Sequence, residues 1–472
     1  MAGAEMANGQ WWRSCLGLER PVHRNQVVSE SVHGAQLAVK FTGCASCVEE
    51  NKACKCGEVS RVRNFENEHH TKPNSSFAHS VINMIGMLIG LGQLSTPYAL
   101  ENGGWASAFL LVGLGIMCAY TSHIIGKCLE EDPSSKTYQD IGEQAFGAKG
   151  RIIASTFIYL EIFFALVSYT ISLSDNLPLV FTGVHAKLPW LHMISTAQLL
   201  TVIAVLVALP SLWLRDLSSI SFLSFGGILM SLLLFATVLW TAAFGGVGAN
   251  QTIPVLQLRK IPGISGLFIF SYAGHIVFPN IYTAMKDPSK FTKVSVTSFT
   301  IVTILYTALA FTGAKLFGPA VSSQFTLSMP RHLVVTKIAL WATVLTPMTK
   351  YALEFAPFAI QLEHSLPSSL GSKTRMLIRG SIGSILLLVI LALALSVPYF
   401  QYVLSLTGSL VSVGISVVFP PAFYLKIRWP RVSKSGRLLN GVIVVFGVVL
   451  GVVGTISSSK SLVQSIQRGH ST

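Results

Sequence analysis

Three ionisable side chains lie inside apolar stretches of this sequence and are the first candidates for chemistry. Glu161, His275 and Lys350 each occupy an apolar run long enough to cross a bilayer as a helix. An intramembrane charge costs at least about 2.5–3.5 kcal/mol on insertion scales, so each of these residues needs a functional or structural reason. Glu161 is a candidate proton acceptor, His275 a group that exchanges protons near neutral pH, and Lys350 a fixed positive charge. The structural alternatives are a carboxyl bonded to a facing helix, a neutral core histidine, and a lysine that snorkels to the membrane boundary.

Two of the apolar runs are interrupted by glycine and polar residues, and the two interruptions have the same spacing. Gly92 precedes Pro97 by five residues, and Gly274 precedes Pro279 by five. A membrane-spanning backbone unwinds only where it is buried in protein or lines a cavity. The pattern therefore predicts two broken helices, and the alternative is a kink or a close contact between small residues.

Broken helices suit the recognition of a zwitterion. The N-terminus of a half-helix offers partial positive charge and free N–H groups to a carboxylate, and unwound carbonyls accept hydrogen bonds from an ammonium. We therefore predict a midplane binding site for a molecule such as an amino acid, operated by alternating access. The predicted binding residues are Ile89, Gly90, Leu91, Gly92, Ser95, Ser271, Tyr272, Ala273 and Gly274. Glu161, His275 and Lys350 are predicted to couple binding to protons or to replace a coupling cation.

The elements that must position these residues are eleven apolar spans. Their approximate ranges are 77–99, 106–128, 152–176, 193–214, 217–244, 262–285, 292–314, 332–358, 376–397, 401–425 and 438–458. The interrupted spans are the first and the sixth, which open two successive sets of five helices. Interrupted segments at corresponding places in two halves indicate an inverted-repeat secondary transporter. The predicted fold class is an all-α polytopic membrane protein with a 5+5 inverted repeat and one extra helix.

The composition agrees with a membrane protein and excludes a soluble enzyme. The 472 residues are 51% hydrophobic and 11% charged, whereas about 25% of residues are charged in globular proteins. The net charge of +14 does not indicate nucleic acid, because residues 1–75 hold nine Lys/Arg against eight Asp/Glu and the excess lies between the spans. No P-loop, zinc-protease or hydrolase motif is present in the sequence, so transport would be secondary and would need no cofactor.

The charge between the spans predicts the topology. A cytosolic N-terminus assigns fifteen Lys/Arg to cytosolic loops and seven to the opposite side, as the positive-inside rule requires. The C-terminus is then lumenal, and the sequon at Asn250 falls on the side where glycosylation occurs. A second sequon at Asn74 falls on the cytosolic side and is interpreted as a chance match. Residues 1–30 contain no apolar stretch typical of a signal peptide, so we expect the first span to direct insertion.

A set of short motifs is distributed along the spans. They are Gly90-Leu-Gly92-Gln-Leu-Ser95-Thr-Pro97-Tyr98-Ala99, Gly103-Gly104-Trp105, Tyr138-Gln-Asp140-Ile-Gly142, Ala145-Phe146-Gly147, Ser174-Asp175-Asn176-Leu177, Gly274-His275, Phe278-Pro279-Asn280, Asp287-Pro288 and Thr349-Lys350-Tyr351. Jointly they resemble the amino acid/auxin permease family, and within it the plant vacuolar amino acid transporters, over residues 77–458. The resemblance implies a fold like that of the bacterial leucine transporter. It also implies proton-coupled movement of neutral amino acids across an endomembrane such as that of the vacuole.

One position departs from this resemblance. The family resemblance implies a second acid beyond Glu161 on the same helix, near the position that Ser168 occupies in this chain. The departure leaves three alternatives open, namely an altered coupling stoichiometry, different substrates, or no pumping.

Three parts are predicted along the chain. They are a flexible cytosolic tail over residues 1–75, a transporter domain over 76–458 and a short C-terminal tail over 459–472. The tail holds four closely spaced thiols, Cys44, Cys47, Cys54 and Cys56. Four thiols are the ligand number of a structural zinc site, but the short spacing favours a disordered or palmitoylated tail. We therefore predict no metal site.

The expected partners are an amino acid, protons and the lipid bilayer, with no nucleic acid, and the protein is expected to act as a monomer. The rival prediction is an amino-acid-sensing receptor that signals through residues 1–75. A carrier of another small acid such as auxin is a further alternative. A channel is disfavoured, because no span shows a continuous polar or charged face in the sequence.

Overall fold

A computed structural model of the chain describes residues 28–32, 35–39, 74–183, 195–208, 217–365 and 370–469. The chain divides into two units, Met1–Lys72 and Pro73–Thr472. In the first unit, strands β1 (Val28–Val32) and β2 (Ala35–Val39) pair in an antiparallel hairpin. Sequence analysis did not predict this hairpin, although valine at both ends of the pairing suits a strand. The four tail cysteines lie outside the described residues, so their zinc-binding and lipidation alternatives stay predictions.

The second unit is built of helices. The α-helices are α1 (Phe77–Leu88), α2 (Gly92–Gly103), α3 (Ser107–Glu131), α4 (Tyr138–Val180), α5 (Thr196–Ala208), α6 (Leu217–Phe244), α7 (Ile261–Ser271), α8 (Phe278–Ala284), α9 (Phe291–Phe317), α10 (Val334–Ser365), α11 (Ser372–Ser396), α12 (Phe400–Thr407), α13 (Phe419–Arg428) and α14 (Lys434–Gly469). Two π-helical turns, Gly408–Ser412 and Gly414–Val418, lie between α12 and α13.

These helices follow the predicted spans in order, and the first and sixth spans are broken. α1 and α2 form the first span with a bend of 60° between them, and α7 and α8 form the sixth. Among the described residues, seven single helices are long and apolar enough to cross a membrane, or eight spans if the bent pair counts as one. The predicted number of eleven stays a prediction, because α5 and α7 are shorter apolar helices and α10 is not among these spans.

The third span is longer than predicted and is kinked. α4 begins with a capping box, in which Thr137 and Asp140 each accept a hydrogen bond from the other's backbone N–H. Non-helical backbone angles follow at Phe146 and Gly147, and Gly147 has a φ of 63°. A side chain at that φ would be strained, so glycine allows the chain to turn there. The kink separates the amphipathic start of α4 from its apolar part.

The last two spans also differ in detail from the predicted helices. The tenth was predicted as one continuous helix, and the structure instead places two π-helical turns within it. A π turn inserts a residue into the α-helical ladder and is frequent at functional sites. α14 continues to Gly469, so most of the predicted C-terminal tail from residue 459 is helical.

α10 is held against two neighbouring helices beside the first break. On one side, the Tyr351 hydroxyl shares a hydrogen bond with Thr170 and donates to the Leu166 carbonyl of α4 at 3.2 Å. On the other side, Gly227 of α6 lies so close that a Cβ there would be 3.3 Å from Thr349 Oγ1. These contacts fix the rotation of α10 and therefore the direction of its polar side chains.

Polar contacts join several elements at one end of the helices. Ser75, just before α1, forms a parallel backbone bridge with Met285, just after α8. Glu131 at the end of α3 pairs with Arg428 at 2.8 Å and with Arg431 at 2.5 Å. Chain order places the start of α1 and the end of α3 at the same end, which the charge distribution predicts to be cytosolic.

The two sequons give a direct test of this topology. Asn250 and Asn74 are both exposed, so exposure alone does not decide which is glycosylated. We expect one glycosidase-sensitive mass shift in protein from a eukaryotic host, abolished by Asn250→Gln and unchanged by Asn74→Gln. Electrophoresis before and after glycosidase treatment measures it. A shift that depends on Asn74 would reverse the proposed orientation.

Candidate functional site

The first break consists of three residues between α1 and α2. Ile89 leaves the helical conformation, with φ −81° and ψ 113°, and is followed by Gly90 and Leu91. α2 begins at Gly92, whose carbonyl accepts a hydrogen bond from the Ser95 hydroxyl at 3.3 Å. Except for the half-buried Gly90, these residues are buried. The predicted residues of the first break thus lie inside the protein, as an unwound membrane segment requires.

The second break separates α7 from α8. α7 ends at Ser271, and the N–H groups of Tyr272 and Ala273 bond back to carbonyls in its last turn. α8 does not begin until Phe278. The Tyr272 ring is buried and its hydroxyl donates to Thr303 Oγ1 of α9 at 3.0 Å. The segment therefore turns within the protein and is anchored by its own tyrosine.

The two breaks touch each other. A Cβ on Gly92 would lie 2.5 Å from the Ser271 Cα, and a Cβ on Gly274 would lie 3.3 Å from Leu88 Cδ2. The first distance is far inside van der Waals contact and involves backbone, so no side chain fits at position 92. Glycine there is what allows the two interrupted helices to meet.

Tyr306 of α9 bridges the breaks. Its buried hydroxyl lies 2.7 Å from the Leu88 carbonyl and 3.1 Å from the Ser271 carbonyl. These are the last residues of α1 and α7, whose carbonyls have no helical donor because the helices end there. Sequence analysis missed Tyr306, since a single tyrosine in an apolar span gives no signal of which neighbour it contacts.

Lys350 of α10 points at the first break. Its Nζ donates to the Ile89 carbonyl at 2.8 Å, and a Cβ on Gly90 would lie 3.1 Å from the same Nζ. The Lys350 side chain is 8% exposed. It therefore reaches into the site and does not extend to a membrane boundary.

Glu161 faces a different helix. The Ser412 hydroxyl lies 2.8 Å from Glu161 Oε1 and 2.9 Å from Oε2, and donates to this carboxyl. Ser412 closes the first π-helical turn of the tenth span. On the same face of α4, the Ser168 hydroxyl donates to the Phe164 carbonyl of its own helix at 2.8 Å. The predicted proton acceptor is thus buried beside the π-helical segment and apart from the breaks.

His275 follows Gly274 in the second break, but its ring turns towards α3. Nε2 lies 2.9 Å from Thr121 Oγ1 and 3.3 Å from the Cys118 carbonyl. The ring centroid is 4.8 Å from that of Phe278. Nδ1 is buried and has no hydrogen-bond partner in the structure. His275 therefore joins the sixth span to α3 and does not face the first break.

The structure brings together six of the twelve predicted site residues. Those at the meeting point of the breaks are Ile89, Gly90, Gly92, Ser271, Gly274 and Lys350. Glu161 and His275 lie outside it, each bonded to a separate helix. The residues that could hold a substrate and those that could bind a coupling proton are therefore different groups.

Glu354 was missed by sequence analysis although the sequence carries a signal for it. It lies four residues after Lys350 in the same apolar span, a spacing that places two side chains on one face of a helix. The Tyr169 hydroxyl of α4 donates to Glu354 Oε1 at 3.4 Å. Tyr169 directly follows Ser168, so a carboxyl from α10 stands close to where the resemblance implied an acid on α4.

Neither a metal site nor an external groove coincides with the breaks. In the part of the chain that the structure describes, no group of three His, Cys, Asp or Glu side chains could hold a metal ion. A groove of about 940 Å³ runs between α3 and α9. Residues between Val112 and His123 line it on α3, and residues between Thr292 and Thr312 line it on α9. It reaches Gly115 and Thr303 behind Tyr272, but its lining includes no residue of either break.

Two broken helices that meet inside a bundle of apolar helices are typical of a polytopic membrane transporter. The chain belongs to the family described as transmembrane amino acid transporter protein, whose model matches residues 73–460, and this is a family of transporters and not of enzymes. The match confirms the predicted resemblance, and the helices of the second unit confirm the predicted all-α membrane fold.

Two relatives from Arabidopsis thaliana show the extent of the similarity. The chain is 63% identical to "Amino acid transporter AVT1H" over 90% of this chain and 99% of the relative. It is 41% identical to "Amino acid transporter AVT1D" over 83% of this chain and 71% of the relative. A solved Na+-coupled sialic acid symporter in a substrate-bound, outward-open state aligns with 82% of this chain and 89% of its own at 12% identity and a TM-score of 0.49.

The bridge made by Tyr306 can be tested by removing its hydroxyl. Tyr306→Phe leaves the Leu88 and Ser271 carbonyls buried without this donor, at a cost of about 1–3 kcal/mol in the free energy of unfolding. We expect a lower melting temperature of the purified protein in detergent. Tyr399→Phe is the control. The Tyr399 hydroxyl donates to one carbonyl, that of Ser465, over 2.9 Å, and this contact lies away from the breaks. Equal melting temperatures for Tyr306→Phe and the unaltered protein would contradict the bridge.

Proposed function

We propose that this protein is a proton-coupled secondary transporter that moves neutral amino acids by alternating access. The observation that carries the proposal is the contact between the two broken helices, with Gly92 against Ser271 and Lys350 on the Ile89 carbonyl. Interrupted helices at corresponding places in two halves are where secondary transporters bind their substrates. The proposed binding residues are those predicted from the sequence, Ile89–Gly92, Ser95 and Ser271–Gly274.

The ends of the half-helices supply both kinds of partner that a zwitterion needs. The N–H groups of Gln93 and Leu94 already bond back to Gly90 and Leu91, so we assign the substrate carboxylate to the amides closer to the break. The positive end of α2 favours a carboxylate there. The substrate ammonium is assigned to carbonyls around Phe270–Ala273, where α7 ends at Ser271 and the chain ceases to be helical.

The charges at the site favour a substrate without net charge. The only ionisable side chains within the two breaks are Tyr272 and His275, and these turn away to α9 and α3. Lys350 provides one positive charge, and its ammonium donates a hydrogen bond to the Ile89 carbonyl. A cationic substrate side chain would find no opposite charge within the breaks, and an anionic one would have to displace the Lys350 ammonium from the Ile89 carbonyl. Burying an unpaired charge is costly.

Lys350 supports coupling to protons and not to a metal cation. Its ammonium occupies the space between the first break and α10, so the site already holds a positive charge. Energy must then enter through a group that gains and loses a proton. The proposed groups are Glu161 and His275, which are both buried. Glu161 is hydrogen-bonded to Ser412 of the tenth span, and His275 is hydrogen-bonded to Thr121 of α3. Protonation changes the charge of either contact and so biases which arrangement of helices is favoured.

Two sets of contacts would close the site from its two ends. At one end, Gln324 accepts hydrogen bonds from Ser172 at 2.7 Å and Asn176 at 2.8 Å, and donates to Asp175 at 2.7 Å. At the other end, Ser75 is bridged to Met285. Alternating access requires these two sets to open in turn.

The proposed location is the vacuolar or another endomembrane, with the N-terminus cytosolic and the C-terminus lumenal, and the proposed functional unit is the monomer. The similarity to proteins named amino acid transporters supports the substrate class. The excess of Lys/Arg in the loops on the side of the N-terminus supports the orientation.

The proposal is tested by uptake into proteoliposomes under a proton gradient. We expect uptake of radiolabelled neutral amino acids that depends on the gradient and is lost when a protonophore is added. Uptake into acidic vesicles indicates antiport, and uptake into alkaline vesicles indicates symport. No gradient-dependent flux of any neutral amino acid would contradict the proposal and would favour the receptor or another substrate such as auxin.

The site placement is tested by adding one methyl group. Gly92→Ala forces the breaks apart, because its Cβ would lie 2.5 Å from the Ser271 Cα. A displacement that costs about 1.4 kcal/mol of substrate binding lowers affinity about tenfold, so we expect at least that loss in uptake. Gly113→Ala in α3 is the matched control, since nothing lies within 4 Å of its Cβ. Normal uptake by a correctly inserted Gly92→Ala variant would refute the placement.

A further inference from the structure

Lys350 has two possible partners, and only one of them is engaged. Its Nζ is bonded to the Ile89 carbonyl at 2.8 Å, while Glu354 lies one helical turn further along α10. Side chains at this spacing are neighbours on a helix surface. The charges of Lys350 and Glu354 attract each other, but the Lys350 ammonium stays on the backbone of the first break. One ammonium therefore stands between a neutral carbonyl and a carboxyl group.

The groups that act on Glu354 come from two helices. Lys350 is on its own helix, and α4 contributes the Tyr169 hydroxyl at 3.4 Å. The charge of Glu354 in turn acts on Glu161 of α4. α11 also packs against α10, and its titratable residues are Lys373, Arg375 and Arg379. The residues of α5 and α6 include none that titrates. Glu354 is thus placed between a cation and a second acid in a region of low dielectric, where one proton changes its interactions strongly.

We propose that Glu354 is a proton-controlled switch for the tether between Lys350 and the first break. With Glu354 protonated, the carboxyl is neutral and the Lys350 ammonium stays on the Ile89 carbonyl. With Glu354 ionised, the carboxylate competes for the ammonium and draws it along α10. The proton that leaves Glu354 is released to the open side, and the hydrogen bond from Lys350 to the Ile89 carbonyl is exchanged for one to the carboxylate. No other covalent bond changes. This inference rests on the proposed function, because it names a residue that couples the proton to the helices.

The tether is well placed to control movement of α1. Two of the contacts that hold the end of α1 to the rest of the protein are the bond from Lys350 to Ile89 and the bond from Tyr306 to Leu88. Loss of the first leaves α1 hinged at residues that are already non-helical. Glu354 would act through Lys350 and is therefore a positioning residue, not a substrate contact.

Transport by four variants tests the switch, with Glu161→Gln as a fifth for comparison. Glu354→Gln mimics the protonated acid, so we expect its uptake to become the same with and without a proton gradient. Lys350→Met removes the tether itself, and Glu354→Gln added to it should cause no further change. Glu354→Asp keeps the acid and should keep gradient dependence. Retained gradient dependence in Glu354→Gln, or loss of it only in Glu161→Gln, would overturn the inference.

A second measurement does not depend on transport. Ser80 of α1 is buried, so Ser80→Cys in a background with all native cysteines replaced by serine reports movement of α1. Its labelling rate is divided by that of Ser289→Cys, an exposed position, to remove the effect of pH on thiol reactivity. We expect the ratio to rise with pH in the protein with Glu354 and to stay constant with Glu354→Gln.

The two measurements separate the two proposals. Labelling that follows pH through Glu354, without gradient-driven uptake of any amino acid, supports the switch and contradicts the proposed transport. Gradient-driven uptake with labelling ratios that are the same for Glu354 and Glu354→Gln supports transport and overturns the switch.

Discussion

The structure depends on one requirement, that backbone polar groups inside an apolar bundle be satisfied. Each break ends a helix and leaves carbonyls without helical donors, and water is scarce at that depth. The Tyr306 hydroxyl meets this need by sharing its proton between the Leu88 and Ser271 carbonyls, and the Lys350 ammonium by donating to the Ile89 carbonyl. Two side chains from α9 and α10 thereby determine how the interrupted helices are held. The same donors are the points at which the helices can be released, since each bond can be exchanged for another.

The sequence predicts the breaks because their cause is local. Glycine followed by proline at a fixed distance disfavours a continuous helix in both spans, and this needs no tertiary information. The bridging role of Tyr306 could not be predicted, because it depends on which face of α9 meets the ends of two other helices. The orientation of the His275 ring could not be predicted either. A residue in an unwound segment has no helical period from which to infer the helix that it faces.

The π-helical turns explain another limit of the sequence. The depth of Glu161 in the third span indicated a buried carboxyl, but its partner lies on the tenth span, where Gly408–Ser412 departs from α-helical geometry. Each π turn shifts the following residues around the helix axis, so a period of 3.6 residues assigns Ser412 to the wrong face. By contrast, the spacing of Lys350 and Glu354 was visible in the sequence. The role of this pair could be inferred only from the fold, which places the Ile89 carbonyl beside Lys350.

The contacts at the two ends of the helices differ in the free energy needed to open them. Gln324 and its partners Ser172 and Asn176 are fully buried, and each hydrogen bond broken there without a substitute costs about 1–3 kcal/mol. At the other end, Arg431 is 68% exposed in its pair with Glu131, and exposed ion pairs contribute about 0–1 kcal/mol. In the proposed cycle, the end that carries Ser75 and Glu131 would therefore be the easier one to open. A tether on the first break acts on that end, because α1 is the half-helix that leads to it.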